Sequence, residues 1–313
     1  MSMVLSFFQI LLMAAAAPSV SWWIKKMKAA SQNRVGPTLL QVYSDLGKLF
    51  RKEMVISEHA SWIFHAMPYV LFSATLSASL LVPAFFKHSF LGFAGDVIVL
   101  VYLLALGKFF LALAALDTGT TFGGMGSSRE MTLSSLAEPA LLLSFFALAY
   151  HTRTLSLEGI ISHFANQSPV EVLFFTSLAF GAMFLVTVAE SGRIPIDNPA
   201  THLELTMIHE AMILEYSGWY LALIEWAHQI KQFLFLSLLA NIFFPWGLMN
   251  PGTPAELGLS LLVFLIKVFV LASIMGWIEI HSAKLRLFRV PDLLAIAFVL
   301  AVVSLLGQLI VVR

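Results

Sequence analysis

Acidic side chains are concentrated between residues 190 and 218, in a stretch that lies between two strongly apolar segments. The stretch reads ESGRIPIDNPATHLELTMIHEAMILEYSG, and its carboxylates are Glu190, Asp197, Glu204, Glu210 and Glu215. A carboxylate next to hydrocarbon-compatible sequence is costly unless it faces water, protein or a pathway. Carboxylates at this density can exchange protons, because neighbouring charges shift one another's pKa values. We therefore interpret them as the protonatable lining of a water-filled cavity, with a solvated acidic surface as the alternative.

The same stretch contains half of a zinc motif. His209-Glu210 begins the pattern HExxH, in which a second His ligand follows one helical turn later. Ile213 stands at that position, so the second ligand is absent. The chain also contains no Cys, which excludes thiolate ligation of zinc or of an iron–sulfur cluster. The sequence therefore predicts no metal site in this chain.

Other ionisable residues lie inside apolar segments. They are Lys108, Glu138, Glu225, His228, Lys231 and Lys267. Each is a functional candidate by default, because burying a charge in a membrane costs several kcal/mol unless the charge is paired or hydrated. Several acids and bases together favour a hydrated proton path. The alternative is structural ion pairing, for instance between Glu225 and Lys231 or between Glu138 and Lys108.

A second group of acids lies near the ends of apolar segments, where solvated capping of a helix is the expected role. This group comprises Asp96, Glu171, Glu279 and Asp292.

The elements that position these residues must be membrane helices. Of the 313 residues, 59% are hydrophobic and 12% are charged, and mean hydropathy is +0.88; soluble domains carry about 25% charged residues. Apolar windows of about 20 residues predict about eight spans, at 3–24, 60–82, 94–116, 131–150, 169–190, 222–246, 258–279 and 291–311. We predict an all-α polytopic membrane protein with a single integral membrane domain over 1–313. The zero formal net charge gives no basic footprint for nucleic acid.

The distribution of basic residues predicts the orientation. Most loop Lys and Arg follow the first, third, fifth and seventh spans, whereas the opposite loops hold only Lys87, Arg153 and Arg313. By the positive-inside rule, the first set of loops faces the cytoplasm and both termini lie on the outer side of the cell inner membrane. The N-terminal stretch lacks a positive n-region, so we interpret it as a first span and not as a signal peptide.

A first cytoplasmic helix is predicted over 37–53. Its Leu, Val, Tyr and Phe residues gather mostly on one face, whereas Asp45, Lys48, Arg51 and Lys52 lie elsewhere, and Pro37 suits a first helical turn. The pattern indicates an amphipathic helix in the cytoplasmic interface, and docking of a partner is an equally good interpretation.

A second cytoplasmic helix, half-buried, is predicted from about 200 to 216, after the fifth span. Thr201 and Glu204 fit a capping box at its start. Glu204 and Glu215 are three turns apart and would share one face of this helix.

The predicted cytoplasmic segments carry an ordered set of motifs that resembles a known family. The motifs are QNRVGP, DLGKLFRKE, the Arg129-Glu130 pair, ExxRxPxD from Glu190 to Asp197, and EYSG from Glu215. Together they resemble the membrane subunit that anchors the hydrophilic arm in respiratory complex I. They are equally similar to its homologue in energy-converting, membrane-bound nickel–iron hydrogenases of the hydrogenase-4 and formate hydrogenlyase type. The resemblance covers nearly the whole chain, and the ordered set is specific where each motif alone is weak.

This resemblance implies a subunit that binds no cofactor and does no redox chemistry alone. Its partners would be the hydrophilic arm, with an iron–sulfur subunit and a nickel–iron-type large subunit that carry the Fe–S clusters and the nickel–iron centre, and antiporter-like membrane subunits. Its function would be to dock the cytoplasmic electron-transfer module and to couple redox chemistry to proton or sodium translocation.

The predicted site has two parts. The first is a cavity mouth or docking surface, in which Arg34, Arg129 and Arg193 would pair with carboxylates; it comprises Arg34, Gly36, Pro37, Asp117, Arg129, Glu130, Arg193 and Tyr216. The second is a proton or coupling path, which begins at the acids of the 190–218 stretch and continues into the membrane; it comprises Glu190, Asp197, Glu204, Glu210, Glu215, Glu138, Glu225, Lys231, Lys267 and Lys108.

Departures from complex I favour the hydrogenase branch. Ala200 and His202 occupy positions where complex I has acids, and the segment between Asp197 and Glu215 is about one helical turn longer. The segments LDTGTTFGGMGSSRE and AKLRLFRVPDLL also resemble the hydrogenase branch more closely. We therefore predict a hydrogenase-4-like subunit. The alternatives are the quinone-chamber subunit of a complex I-type oxidoreductase and, in another class, a stand-alone secondary ion transporter.

Overall fold

A computed structural model of the chain describes residues 2–85, 96–198, 207–247 and 254–311. The described residues form helices connected by turns and loops. In chain order these helices are α1 (Ser2–Ser31), α2 (Leu39–Arg51), α3 (Trp62–Leu81), α4 (Val97–Asp117), α5 (Thr121–Thr152), α6 (Leu157–Ala165), α7 (Pro169–Glu190), α8 (His209–Ile213), α9 (Gly218–Phe243), α10 (Pro254–His281) and α11 (Val290–Val311), with a 3₁₀ turn at Leu287–Arg289.

The predicted all-α membrane class is confirmed. Within the described ranges, five helices are long and apolar enough to cross a membrane, namely Trp62–Leu81, Val97–Asp117, Thr121–Thr152, Ala255–His281 and Leu287–Ile310. Each of the other predicted spans coincides with a long helix, α1, α7 or α9. The full number of eight spans stays a prediction.

Helix α9 occupies the centre of the bundle. It packs against α1, α2, α3, α7 and α10. Every residue from Gln229 to Phe243 is buried, so this part of the helix has no lipid-facing side. The polar residues on this part of α9 are therefore inside the protein.

Helix α5 begins earlier than the sequence predicts, at Thr121 and not at 131. Thr120 caps the helix by accepting the Gly123 N–H at 3.3 Å. At Gly126 a Cβ would lie 2.9 Å from the Ala211 Cβ and 3.0 Å from the Ile208 carbonyl oxygen, so the absence of a side chain permits close packing against α8. A hydropathy window misses this first part because Gly, Ser and Arg lower its average. Arg129 and Glu130, which the sequence places in a loop, therefore lie on α5.

The predicted continuous helix from about 200 to 216 is wrong over the residues that the structure describes. Met207 and Ile208 are not helical, and α8 covers only His209–Ile213. The reason is the Asp197 carboxylate, whose Oδ2 accepts the backbone N–H of Ile208 at 3.1 Å and of His209 at 3.3 Å. Residues 199–206 lie outside the described ranges, and with them lie Glu204 and its predicted shared face with Glu215.

The predicted amphipathic helix is present as α2. Its N-cap is Thr38, so Pro37 precedes the helix and does not form its first turn. Val42 and Leu46 are buried, whereas Leu40 is 74% exposed. The pattern of one buried and one exposed apolar edge agrees with a helix that lies flat on a bundle.

Prolines inside α1 and α3 leave backbone carbonyls without their helical donors, and aromatic side chains replace the missing bonds. Pro18 in α1 cannot bond to the Ala14 oxygen, which accepts from Trp226 Nε1 at 2.9 Å. Pro68 in α3 likewise frees the Phe64 oxygen, which accepts from the Tyr216 hydroxyl at 3.0 Å. These donors matter because an unpaired carbonyl is expensive in hydrocarbon.

Candidate functional site

Four side chains from four different helices form a continuous series of ion pairs. Glu190, at the end of α7, lies with Oε1 2.8 Å from Lys108 Nζ on α4 and with Oε2 2.9 Å from Lys231 Nζ on α9. Lys108 Nζ is also 2.9 Å from Glu138 Oε1 on α5. We call Glu138, Lys108, Glu190 and Lys231 the ion chain. The predicted pair of Glu138 with Lys108 is present, whereas Lys231 pairs with Glu190 and not with Glu225.

The ion chain is buried at three of its four members. Lys108 is 5% exposed, and Glu190 and Lys231 are each 9% exposed. The Glu138 side chain, at the far end, is 32% exposed. Two acids balance two bases, so the group is neutral overall, and neutrality makes its burial tolerable. Each contact lies within hydrogen-bond distance, so a change in the protonation of one member alters the next.

A second buried cluster surrounds Arg193. Its Nη1 lies 3.5 Å from Glu279 Oε2, and its Nη2 donates to Gln232 Oε1 at 3.2 Å. Lys28 Nζ contacts the other Glu279 oxygen at 2.7 Å. Glu279 is only 3% exposed, so the predicted solvated capping role for this acid is wrong. The sequence around Glu279 is apolar and does not indicate its two basic partners. These partners come from distant parts of the chain, namely α1 and the segment after α7.

Asp197 connects three segments at the mouth. Besides the two backbone groups of Ile208 and His209, its carboxylate contacts Lys284 Nζ, in the segment after α10, at 2.8 Å. Arg129 Nη1 donates to the Met207 carbonyl at 2.8 Å, so this Arg holds the chain just before α8; among the residues that the structure describes, it forms no ion pair with a carboxylate. The structure therefore brings together α5, the segment after α7, α8 and the segment after α10.

Two imidazoles lie between the mouth and the ion chain. The rings of His209 on α8 and His228 on α9 have centroids 4.6 Å apart, with an angle of 32° between their planes. His228 Nε2 is 3.2 Å from the Ser191 carbonyl oxygen. A carbonyl can only accept, so His228 Nε2 carries hydrogen and, in the neutral ring, Nδ1 is an acceptor. Lys231 follows His228 by about one helical turn.

The predicted path includes neither histidine, although His228 is a candidate from its position inside an apolar segment. The spacing of His228 and Lys231 on one helix is the only local signal, because the contact with His209 depends on how α8 folds. Burial lowers the pKa of His209, and the positive charge of Lys231 adds to the effect.

Glu210 is the acid at the mouth whose protonation is most sensitive near neutral pH. Burial raises its pKa to about 7, and the negative charges of Glu225 and Asp197 add to this effect, whereas Lys25 opposes it. Glu210 can therefore bind or release a proton at physiological pH. Glu225 is close enough to influence Glu210, although it makes no ion pair among the described residues.

Tyr216 and Asp117 both contact the start of α3. The Tyr216 ring stacks on Phe64 with centroids 4.0 Å apart, and burial raises the pKa of its hydroxyl. Asp117 Oδ2 accepts the Ser61 N–H at 2.8 Å, just before α3. Ser217 bonds through its hydroxyl to both backbone groups of Val55, at 2.8 and 2.9 Å.

None of the other predicted residues that the structure describes forms an ion pair with the ion chain. Lys267 Nζ donates to the Phe244 carbonyl at 2.6 Å, at the end of α9. Arg34 and Gly36 lie beside the end of α1, and Pro37 accepts from Trp22 Nε1 at 2.9 Å. Glu215 is half-buried in the turn after α8. Glu130 lies on α5, where it interacts electrostatically with Lys231 and Lys108.

Comparisons with known proteins agree with this architecture. A family model described as NADH dehydrogenase matches residues 3–312. Formate hydrogenlyase subunit 4 of Escherichia coli is 32% identical over 313 residues, which cover 98% of this chain and 100% of the relative. Hydrogenase-4 component C of Escherichia coli is 38% identical over 271 residues, with 85% and 84% covered. The H-type membrane protein of the NADH-quinone oxidoreductase from Rubrobacter xylanophilus is 29% identical over 273 residues, with 83% and 78% covered.

A solved structure shares the fold. It is a chain of the membrane-bound sulfane sulfur reductase, described as an archaeal respiratory membrane complex, with a TM-score of 0.81 and 21% sequence identity. The match covers 97% of this chain and 99% of that chain. The resemblance predicted from the sequence is confirmed. The chain belongs to the NADH dehydrogenase family, together with formate hydrogenlyase subunit 4, hydrogenase-4 component C and the H-type membrane proteins of complex I.

Proposed function

We propose that this chain is the membrane subunit of a hydrogenase-4-like, energy-converting oxidoreductase complex. It docks a cytoplasmic electron-transfer module and couples the redox chemistry of that module to ion translocation. The observation that carries the proposal is the ion chain, which connects the mouth to the interior through contacts of 2.8 to 2.9 Å. The identity to formate hydrogenlyase subunit 4 and hydrogenase-4 component C favours the hydrogenase type.

The coupling starts at the mouth. Arg129 and Asp197 hold the ends of the 197–207 segment, so a partner that docks there acts directly on α8. A displacement of α8 changes the contact between His209 and His228 and the surroundings of Glu210. A proton that reaches Glu190 removes the negative charge that Lys108 and Lys231 share. Among the described residues, Lys108 then keeps Glu138 as its one ion-pair partner, and the disturbance passes to the far end of the ion chain.

In this proposal, partner subunits supply the redox cofactors and the rest of the ion path. Fe–S clusters and a nickel–iron centre belong to the hydrophilic arm, and antiporter-like membrane subunits continue the path beyond Glu138. The complex lies in the inner membrane, with the mouth on the cytoplasmic side and both termini outside. The translocated ion is a proton or a sodium ion, because carboxylates serve both.

The test uses Glu138→Gln in the assembled complex. Lys108 keeps Glu190 as its partner in this variant, so the fold and the docking of the arm are retained. We expect hydrogen-linked redox activity to persist while proton translocation, measured separately in membrane vesicles, falls at least tenfold. Glu58→Gln, which removes an exposed acid, is the matched control. Unchanged translocation per turnover in Glu138→Gln would contradict the proposal.

Two further measurements separate the alternatives. A quinone analogue that inhibits the complex and protects 190–218 from labelling would favour the quinone-chamber alternative. Ion transport by the purified chain alone in liposomes would favour the stand-alone transporter. We expect neither result.

A further inference from the structure

Helix α2 contains a groove that the coupling proposal does not use. The groove has a volume of about 440 Å³ and is lined by Ser44, Gly47, Lys48, Arg51 and Lys52. Three of these five residues are basic. Among the described residues, none of the three forms an ion pair. Their positive charge is therefore available to a ligand from outside the chain.

The apolar surface beside this groove is also exposed. A helix turns about 100° per residue, so the side chains of α2 divide into three adjoining arcs. The buried arc holds Val42 and Leu46. The next arc is apolar and holds Leu39, Leu40, Tyr43 and Phe50, which are between 36% and 74% exposed. The third arc holds Lys48 and Arg51, with Lys52 directly after the end of the helix, and Gly47 lies at the border between the apolar and basic arcs.

This order of arcs matches a phospholipid molecule. Acyl chains pack against an apolar arc that faces the bilayer, while a headgroup phosphate reaches the basic arc at the water side. Aromatic contacts hold the helix flat in this position. The Tyr43 hydroxyl donates to the Ala15 carbonyl at 2.6 Å, and the Phe50 ring meets Trp226 with centroids 6.3 Å apart. The acid on the same helix, Asp45, lies beyond the basic arc and accepts from Gln41 at 3.1 Å.

We propose that α2 binds the headgroup of an anionic phospholipid in the groove formed by Ser44, Gly47, Lys48, Arg51 and Lys52. The lipid fixes α2 against α1 and α9, which α2 contacts through Tyr43 and Phe50. Net positive charge selects an anionic headgroup over a zwitterionic one. The apolar arc selects a lipid over free phosphate.

The experiment is native mass spectrometry on the delipidated complex, with phosphatidylglycerol or phosphatidylcholine of the same acyl chains added. We expect phosphatidylglycerol to bind more tightly than phosphatidylcholine. A basic residue near an anionic membrane surface contributes a factor of about five in affinity. The double variant Lys48→Gln with Arg51→Gln should therefore weaken phosphatidylglycerol binding about 25-fold. The control Arg286→Gln with Arg289→Gln removes the same charge from exposed positions after α10 and should have little effect.

A second variant tests the groove without changing charge. A Cβ at Gly47 meets no atom within 4 Å, so Gly47→Leu fits the fold and fills the groove. We expect it to weaken phosphatidylglycerol binding at least tenfold while the complex remains assembled.

Several outcomes would overturn the proposal. They are equal retention of both lipids, equal loss in the control variant, and displacement of the lipid by inorganic phosphate at the same concentration. Cross-links from Lys48 to an acidic surface of a partner subunit in the assembled complex would also overturn it, because the groove would then be a protein interface.

Discussion

At the residue scale, Glu190 joins the two lysines of the ion chain. One carboxylate faces two ammonium groups, and each of its oxygens contacts a different helix through a different lysine. Its sequence position gives no hint of this, because Lys108 is 82 residues away. Hydropathy indicates that Lys108, Glu138 and Lys231 lie inside apolar segments, where a charge is costly to bury, and so marks them as functional candidates. It does not predict which residues they pair with. Partner choice depends on how helices pack, and packing leaves no local pattern in the sequence.

Glu210 gives a prediction about pH. Its pKa in the folded protein is about 7, above the ordinary 4.5, so folding favours the protonated form. The stability linked to this group is fully present below about pH 4.5 and is lost as pH rises through about 7. Glu210→Gln keeps a neutral side chain at every pH. The variant should match the native chain in melting temperature at about pH 4 and exceed it at about pH 8.

The measurement is thermal unfolding in detergent at both pH values. Glu58→Gln serves as the control, because Glu58 is exposed and its replacement should give no pH-dependent difference. A constant difference between Glu210→Gln and the native chain across this range would show that Glu210 does not titrate there.

At the element scale, two proline-containing helices depend on aromatic donors from elsewhere in the chain. Pro18 and Pro68 were visible in the sequence as residues inside predicted spans. The donors that compensate for them, Trp226 and Tyr216, were not predictable, because each comes from a distant segment. The motif of Tyr216 predicts a place at the mouth, and its hydroxyl bonds to the carbonyl that Pro68 leaves free in α3. This bond connects the segment after α8 to a membrane helix.

Tyr216→Phe tests this connection. The ring stack on Phe64 remains, but the Phe64 carbonyl loses its donor, and leaving a buried acceptor unpaired costs about 1–3 kcal/mol. We expect a corresponding decrease in the free energy of unfolding, measured with denaturant in micelles. Tyr102→Phe, on an exposed face of α4, is the control.

A double variant makes the test specific. Pro68→Ala restores a backbone N–H that can reach the Phe64 carbonyl. Tyr216→Phe should therefore cost less in the Pro68→Ala background than in the native chain. Equal costs in the two backgrounds would mean that the hydroxyl does not serve the carbonyl freed by Pro68.

At the scale of the whole molecule, the long apolar helices follow from hydropathy, and the mouth does not. Windows of apolar residues locate most of the helices within a few positions. They miss the start of α5, where Gly126 packs closely against α8. Helical spacing also predicts a long helix after α7, although Asp197 binds the backbone of Ile208 and His209 and so sets the start of a short one. The two wrong predictions, the start of α5 and the length of the helix after α7, both concern places where segments distant in sequence are in contact.

The ion chain links α4, α5, α7 and α9, so its members should be energetically coupled. Lys231→Met leaves Glu190 short of one partner, and removing one member of a buried pair typically costs about 3–5 kcal/mol. Glu190→Gln combined with Lys231→Met removes both charges, so its cost should be well below the sum of the two single costs. Denaturant unfolding of the four proteins measures this, and strict additivity would argue against a coupled network.

The partial exposure of Glu138 has a consequence for assembly. Its side chain is 32% exposed in the isolated chain, and a carboxylate at membrane depth is poorly solvated by lipid. A neighbouring subunit that covers Glu138 with a polar side chain relieves this penalty, whereas a neighbour with a purely apolar face increases it. The exposed Glu138 end of the ion chain thus favours neighbouring subunits with a polar side chain at this position. We expect cellular proteases to degrade the chain when it is not assembled with such a neighbour.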